Sequence, residues 1–307
     1  MRSQVIALAG GVGGARLSYG LAQCLPPAEL TVVVNTGDDF EHLGLTICPD
    51  LDTVMYTLAS LNDTHQGWGV RGDTRHLMQA LTRLGGEDWF VLGDQDVATH
   101  LLRTERLQNR SLSQVTAELC QSLGIEVMVV PMSDQPVRTQ VHTDQGLLAF
   151  QDYFVRRRCA PVVKAVSFDG IERARPSDGF MAALSAPDLT AIVLCPSNPM
   201  LSIEPILALP GVRARLRTRS VPVVAVSPFI DGQAVKGPAA KMFAELGLPT
   251  TPAGLVDYYQ GLLDGIVIDQ RDAPPDGVRV LATDTLMRDS HDQARLAREV
   301  LSFVGSL

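Results

Sequence analysis

Val5-Ile6-Ala7-Leu8-Ala9-Gly10-Gly11-Val12-Gly13-Gly14-Ala15-Arg16 decides how this chain is read. An apolar run leads into glycines at 10, 11, 13 and 14, and leucines at 17, 21 and 25 follow at helical spacing. That pattern predicts a buried strand, a tight turn and a helix. Glycine lets backbone amides approach a ligand with no Cβ in the way, and a helix N-terminus adds unpaired N–H groups and partial positive charge. Together they form a phosphate cradle. The turn departs from the dinucleotide fingerprint G-x-G-x-x-G, because Arg16 stands where the third glycine belongs, and no Gly-Lys-Ser/Thr follows as in a Walker loop.

Outward from this turn, strand-like runs near 4–9, 30–35, 89–92, 126–130, 162–166, 190–195, 222–226 and 265–268 alternate with helix-like ones. The helical patterns lie near 14–24, 51–61, 73–84, 111–123, 178–185, 238–246, 254–263 and 289–304. Short, continuous apolar strands between helices mean a parallel sheet covered on both faces. The expected fold is α/β, a Rossmann-like, doubly wound, mostly parallel sheet with ligands at the carboxyl ends of its strands. Residues 137–158 break the alternation with a hairpin pattern around Thr143-Asp144-Gln145-Gly146, followed by Arg156-Arg157-Arg158. The chain is therefore read as a single domain over 1–307 with a small inserted subdomain around 131–175.

With 46% apolar and 20% charged residues in 307, the composition is that of an ordinary globular protein. A net charge of −8 argues against a nucleic-acid-binding surface, which is normally basic. The apolar runs fall well short of the ~20 residues of a membrane helix, so no membrane partner is expected. The opening residues lack a cleavage-site pattern, so no signal peptide is read. The five cysteines (Cys24, Cys48, Cys120, Cys159, Cys195) have neither metal nor redox spacing. They read as reduced thiols of a cytoplasmic protein. The histidines form no zinc-type pair.

Chemistry-bearing residues gather where strands end. Val32-Val33-Val34 runs into Asn35-Thr36-Gly37-Asp38-Asp39, turn chemistry that also sits at the sheet's carboxyl edge. Cys48-Pro49-Asp50-Leu51-Asp52-Thr53 follows; Asp50 suits a helix N-cap and Asp52 a first turn, which alone would explain both. Carboxylates at 38, 39, 50 and 52 beside a phosphate cradle repel each other unless a cation is present, and hard oxygen ligands suit Mg²⁺. Gly93-Asp94-Gln95-Asp96-Val97-Ala98-Thr99-His100 opens another helix, with His100 and Arg103 within about one turn of each other. Ser197 and Asn198, and Lys236 before Gly237, end further strand-loop units and are candidate phosphate contacts.

Taken in order, GGVGGAR (10–16), NTGDD (35–39), CPDLDT (48–53), GWG (67–69), the Trp89–His100 segment, LCPSNP (194–199), SPFIDGQAVKGPA (227–239) and Gly254-Leu255-Val256-Asp257-Tyr258-Tyr259 resemble the 2-phospho-L-lactate transferase family, CofD-type, over nearly the whole chain. The resemblance implies a step of coenzyme F-420 biosynthesis. A phospholactate, phosphoenolpyruvate or 3-phosphoglycerate group would pass from a guanosine diphosphate diester to the ribityl hydroxyl of the deazaflavin FO, with GMP released. It also implies Mg²⁺ dependence and a homodimer.

Carried onto this sequence, Asp52 and Asp50 are the catalytic candidates, and Asp39, Asp50 and Asp52 the metal candidates. Asp52, Asp94, Asp96, Thr99 and His100 are candidates for the FO pocket. Gly10, Gly11, Gly13, Gly14, Arg16, Asn35, Ser197, Asn198 and Lys236 are candidates for the nucleotide and its phosphates. An alternative is a UDP-sugar-binding regulator of the gluconeogenesis-factor (YvcK-like) type, which shares the glycine turn and the Asn-x-Gly-Asp-Asp element. The CPDLDT motif and the Trp89–His100 segment favour the transferase. An NAD-dependent oxidoreductase suffers from Arg16 in the third glycine's place and from the lack of a suitable hydride-transfer acid or base.

Overall fold

In the computed structural model, which describes residues 3–235 and 237–307, the opening apolar run is strand β1 (Gln4–Ala9). It lies inside a seven-stranded sheet with β2 (Leu30–Val34), β3 (Met128–Pro131), β4 (Leu189–Leu194), β5 (Val223–Val226), β6 (Gly265–Asp269) and β7 (Arg279–Thr283). Every neighbouring pair is parallel, and the spatial order is β7-β6-β5-β4-β1-β2-β3. Side chains alternate between two covered faces. Ile6 and Leu8 join Val33, Ile192 and Leu194 on one, while Val5, Ala7 and Ala9 join Val32, Val34 and Val193 on the other. Burial on both faces is why these strands read as unbroken apolar runs.

Helix α1 (Gly11–Cys24) returns across the second face and packs Leu17 and Leu21 among Leu296, Ala297 and Val300 of the C-terminal helix Ser290–Val304. The chain moves from β1 outward to β2 and β3, then crosses back to place β4 on β1's other side. The strand order therefore reverses between β1 and β4, and a crevice opens at their carboxyl ends, where such sheets bind ligands.

Four further helices, α2 (Pro49–Leu58), α3 (His76–Arg83), α4 (Asp94–Arg106) and α5 (Leu112–Ser122), lie between β2 and β3. The hairpin expected after residue 137 forms from Arg138–Thr143 and Gly146–Ala149, and Val163–Asp169 pairs with it as a third antiparallel strand. The strand expected at 162–166 thus belongs to this small sheet, not the main one. Residues 89–92 form no strand; Trp89 and Phe90 pack their rings against Phe40 and His42 of the hairpin Phe40–His42/Leu45–Ile47. Strand β7, half-exposed at the sheet's edge, has too weak an apolar run to be read from sequence. No helix among the described residues is long and apolar enough to cross a membrane.

Candidate functional site

At the β1/β4 crevice lies a cavity of about 640 Å³. The glycine turn forms its floor. Gly11 adopts φ +61°, and a Cβ on Gly13 would stand 2.1 Å from the Pro196 carbonyl oxygen, so α1 presses against the loop after β4 only because no side chain intervenes. The Gly10 amide donates to Ser197 Oγ (3.1 Å) and the Gly11 amide to Asp50 Oδ1 (2.7 Å). Two of the turn's donors are therefore already used. Val12 and Gly13, also in the lining, carry the next amides at the head of α1, where a helix has no internal partner for them. Asn198 caps the turn Pro199–Ile203 through Oδ1, which accepts from the Met200 and Leu201 amides. Its Nδ2 is buried without a protein partner, and the residue belongs to the lining. Arg16 lines the same end and donates to the Met287 carbonyl, tying α1 to the Thr285–Met287 wall.

Above this floor stand buried carboxylates. Asp50 is held by the Gly11 amide and by Asn35 Nδ2 (2.9 Å). Burial pushes its carboxyl up to about 6 even though Asn35 and Gly11 pull the other way. Asp38 also lines the cavity and is raised well above the usual range by burial, by the charge of Asp50 and by Asp39; its Oδ1 has no partner. Burial pushes Asp39 up to about 7 against the pull of Arg138, the Cys48 hydrogen bond and Arg103. An anionic ligand on this floor meets Asp50 at the turn itself, so bound phosphate calls for an intervening cation.

A second acidic group begins two residues on, in the same first turn of α2. Asp52, Asp96 and His100 bring potential ligand atoms within 4.8 Å of one another. Unlike Asp38 and Asp50, Asp52 is paired directly with a buried cation. Arg103, one helical turn beyond His100 and 1% exposed, pairs with both oxygens of Asp52 and lies 3.2 Å from His100 Nδ1 through Nη1. His100 Nε2 faces Asp96 Oδ2 at 3.3 Å, and the Tyr56 hydroxyl donates to Asp96 Oδ1 (2.7 Å). Burial pushes the Asp96 carboxyl up, but His100, Tyr56 and Arg103 outweigh it and hold it below the usual carboxylate range.

The outer wall is aromatic. Trp68, Trp89, Phe90, Phe150 and Phe154 line it, with Arg75 beside them. Arg156 lies 4.6 Å over the Trp89 ring, and Phe150 stacks on Phe154 at 5.3 Å. Planar, apolar faces of this kind suit a flat ring system.

Among the residues expected from sequence, Gly10, Gly11, Gly13, Arg16, Asp50, Asp52, Asp96, His100, Ser197 and Asn198 line the one cavity. Others stand elsewhere. Asp94 is turned out of the cavity and accepts from the Thr74 hydroxyl and the His76 and Leu77 amides, capping α3. Asp73 in turn accepts from the Gln95 and Asp96 amides and caps α4, so the two helices exchange caps. Thr99 is absent from the lining, and so is Asp39, which is buried near Cys48 and Arg138. Asn35 and Gly14 lie behind the site, the one holding Asp50 and Leu201, the other backed by Ser197 and Ala9. Asp39, Asp50 and Asp52 do not converge as one metal cluster: Asp52 belongs with Arg103 and His100, whereas Asp50 belongs with Asp38. Lys236 lies outside the described residues. Sequence reasoning missed Tyr56 and gave Arg103 no role beyond its place within a turn of His100, although Asp96, His100 and Arg103 follow i, i+4, i+7 spacing, which sets three side chains on one helix face.

The profile of the family described as 2-phospho-L-lactate transferase CofD matches residues 5–305. A phosphoenolpyruvate transferase of Streptomyces coelicolor is 41% identical over 312 aligned residues, covering 97% of both chains. A 2-phospho-L-lactate transferase of Methanosarcina acetivorans is 38% identical, covering 97% of this chain and 98% of that one. Among solved structures, a UPF0052-family protein of Bacillus halodurans superposes with a TM-score of 0.66 at 15% identity, covering 98% of this chain and 99% of that one. That last likeness concerns the fold alone. A shared fold does not tell a transferase from a nucleotide-sugar regulator; the whole-chain family match favours the former.

Proposed function

Because the chain belongs to the CofD family of 2-phospho-L-lactate transferases, we propose that it moves a phospholactyl-type group from a guanosine diphosphate diester to the ribityl hydroxyl of the deazaflavin FO. In this reaction the hydroxyl oxygen bonds to the phosphorus that carries the lactyl-type group. The bond from that phosphorus to the oxygen bridging the two phosphates breaks, GMP leaves with the bridging oxygen, and the hydroxyl proton is released. The product is a phosphodiester.

The observation that carries this reading is a single cavity with two unlike ends. A phosphate-type floor (Val12, Gly13 and Asn198) meets an aromatic wall (Trp68, Trp89, Phe90, Phe154) with buried carboxylates between them. Phosphoryl transfer depends more on positioning and charge neutralisation than on covalent help. The floor would take the diphosphate and the wall the deazaflavin ring, which brings hydroxyl and phosphorus together between them. Asp38 and Asp50 fit a hard divalent cation such as Mg²⁺: both are buried, both face the cavity, and the unpartnered Asp38 Oδ1 is a donor with nothing to bind. Such a cation, when bound, neutralises the diphosphate and makes the attacking hydroxyl more acidic. Asn35 and the Gly11 amide fix the Asp50 carboxylate that would help hold it.

Incubating the protein with FO, Mg²⁺ and the lactyl, enolpyruvyl and glyceryl diesters in competition, then analysing products by mass spectrometry, tests the reading. One FO phosphodiester should dominate. If FO is left unmodified with all three donors, the proposal fails; tight UDP-sugar binding without turnover would point instead to a regulator.

A further inference from the structure

Arg103 is the buried cation that the sequence reading left without a role, and it does not line the cavity. It has three neighbours of consequence: both oxygens of Asp52, the Thr46 carbonyl at 3.4 Å, and His100 Nδ1 at 3.2 Å. A guanidinium has N–H donors and no acceptor. His100 Nδ1 also lies 3.6 Å from Asp52 Oδ2, but the guanidinium N–H is nearer at 3.2 Å and that carboxylate is already gripped by Arg103, so Nδ1 is placed to accept, and a neutral imidazole that accepts at Nδ1 carries its proton on Nε2. In this chain Nε2 is buried, makes no hydrogen bond and lies 3.3 Å from Asp96 Oδ2, while the other Asp96 oxygen already accepts from Tyr56. One guanidinium thus sets the orientation of Asp52 and the tautomer of His100, and through His100 the state of Asp96. All three line the cavity.

We propose that Arg103 is the positioning residue of the transfer, holding Asp52 and locking His100 as the tautomer whose Nε2 proton faces Asp96. This rests on the transferase reading above. The fork geometry matters as much as the charge. A lysine ammonium is a point charge that cannot grip two carboxylate oxygens in a plane while presenting a fixed N–H to the imidazole. The arrangement also gives the Asp52 side an internal counter-charge, leaving the Asp38–Asp50 side as the one in need of an external cation.

The test has two readouts. Nitrogen NMR of the imidazole in the unmodified protein reports the tautomer directly: His100 should show a non-protonated Nδ1 and a protonated Nε2. A protonated Nδ1, or an imidazolium at neutral pH, overturns the proposal without any variant having to fold. Steady-state kinetics of Arg103→Lys then tests the functional half. Displacement of the reacting groups by about an ångström predicts a kcat lower by about 100-fold with the donor KM little changed. An unchanged kcat, or a loss confined to KM, refutes the positioning role. Failure of the unmodified protein to turn over FO would sink the transferase reading instead, while the NMR result still stands or falls by itself.

Discussion

The floor of the cavity and its aromatic wall are built by different means. The floor hangs on strand ends. Gly10–Gly13 follow β1, Asn35–Asp39 follow β2, and Cys195–Asn198 follow β4, so parallel pairing such as Ala9 with Val34 and Leu8 with Leu194 places every group at once. The wall comes from connecting segments, Trp68 and Trp89–Val91 on one side and Phe150–Val155 on the other, clasped by Arg156 over Trp89. The half proposed to take the diphosphate rests on the sheet, while the half proposed to hold the flat ring rests on loops. Substitutions in the two halves should therefore separate into those that damage fold and chemistry together and those that damage recognition alone.

The largest effect is expected at the junction of the halves. Asp52→Asn leaves Arg103 as an uncompensated buried charge, which typically costs about 3–5 kcal/mol of stability. Urea unfolding should show it along with lost turnover; a variant as stable as the parent would mean that the pair is not buried in solution. Next comes the floor. Gly13→Ala forces its methyl against the Pro196 carbonyl, an overpacking of about 1–3 kcal/mol, and should also raise the KM for the diester. A stable variant with normal donor KM would dissociate the turn from donor binding.

Acidity gives a third, graded test. Asp50 near 6 and Asp39 near 7 titrate higher in the folded chain than the ordinary 3.8. Raised carboxyls contribute stability that is fully present below about 4 and is lost as pH rises through 6 to 7. The urea midpoint should therefore fall between pH 5 and pH 8, and Mg²⁺ should lessen the fall at the upper end. A midpoint that rises over this range, or that ignores Mg²⁺, would remove the need for a cation on the floor. The smallest effect belongs to the wall. Trp68 is 44% exposed, so Trp68→Ala should leave stability within about 0.5 kcal/mol while weakening FO binding by ~1 kcal/mol, about fivefold. Fluorescence titration with FO reads this, and unchanged affinity would take Trp68 out of the acceptor site.

The same division decides what could be read from sequence. Apolar runs and glycine spacing are local signals, and they carry the sheet, its switch point and the floor residues. Trp89 and Phe90 defeat local reading because an apolar pair followed by Val91-Leu92 looks like a strand; what holds them is contact with Phe40 and His42, about fifty residues earlier. Asp94 misleads in another way. An acid at a helix start reads as a cap or a ligand, but no local rule reveals that Asp73 takes over that helix while Asp94 caps α3. Arg103 was visible as a helix-face neighbour of His100, and only burial together with Asp52 shows that it is an internal counter-ion.

Phosphorus NMR of the protein turning over FO with one diphosphate diester addresses the central claim most directly, because it shows which bond breaks. Attack at the phosphorus carrying the lactyl-type group predicts loss of the diphosphate signals and growth of GMP and one phosphodiester in equal amounts. Release of GDP, or a diphosphate that survives in the FO product, would contradict a floor that delivers that phosphorus to the acceptor.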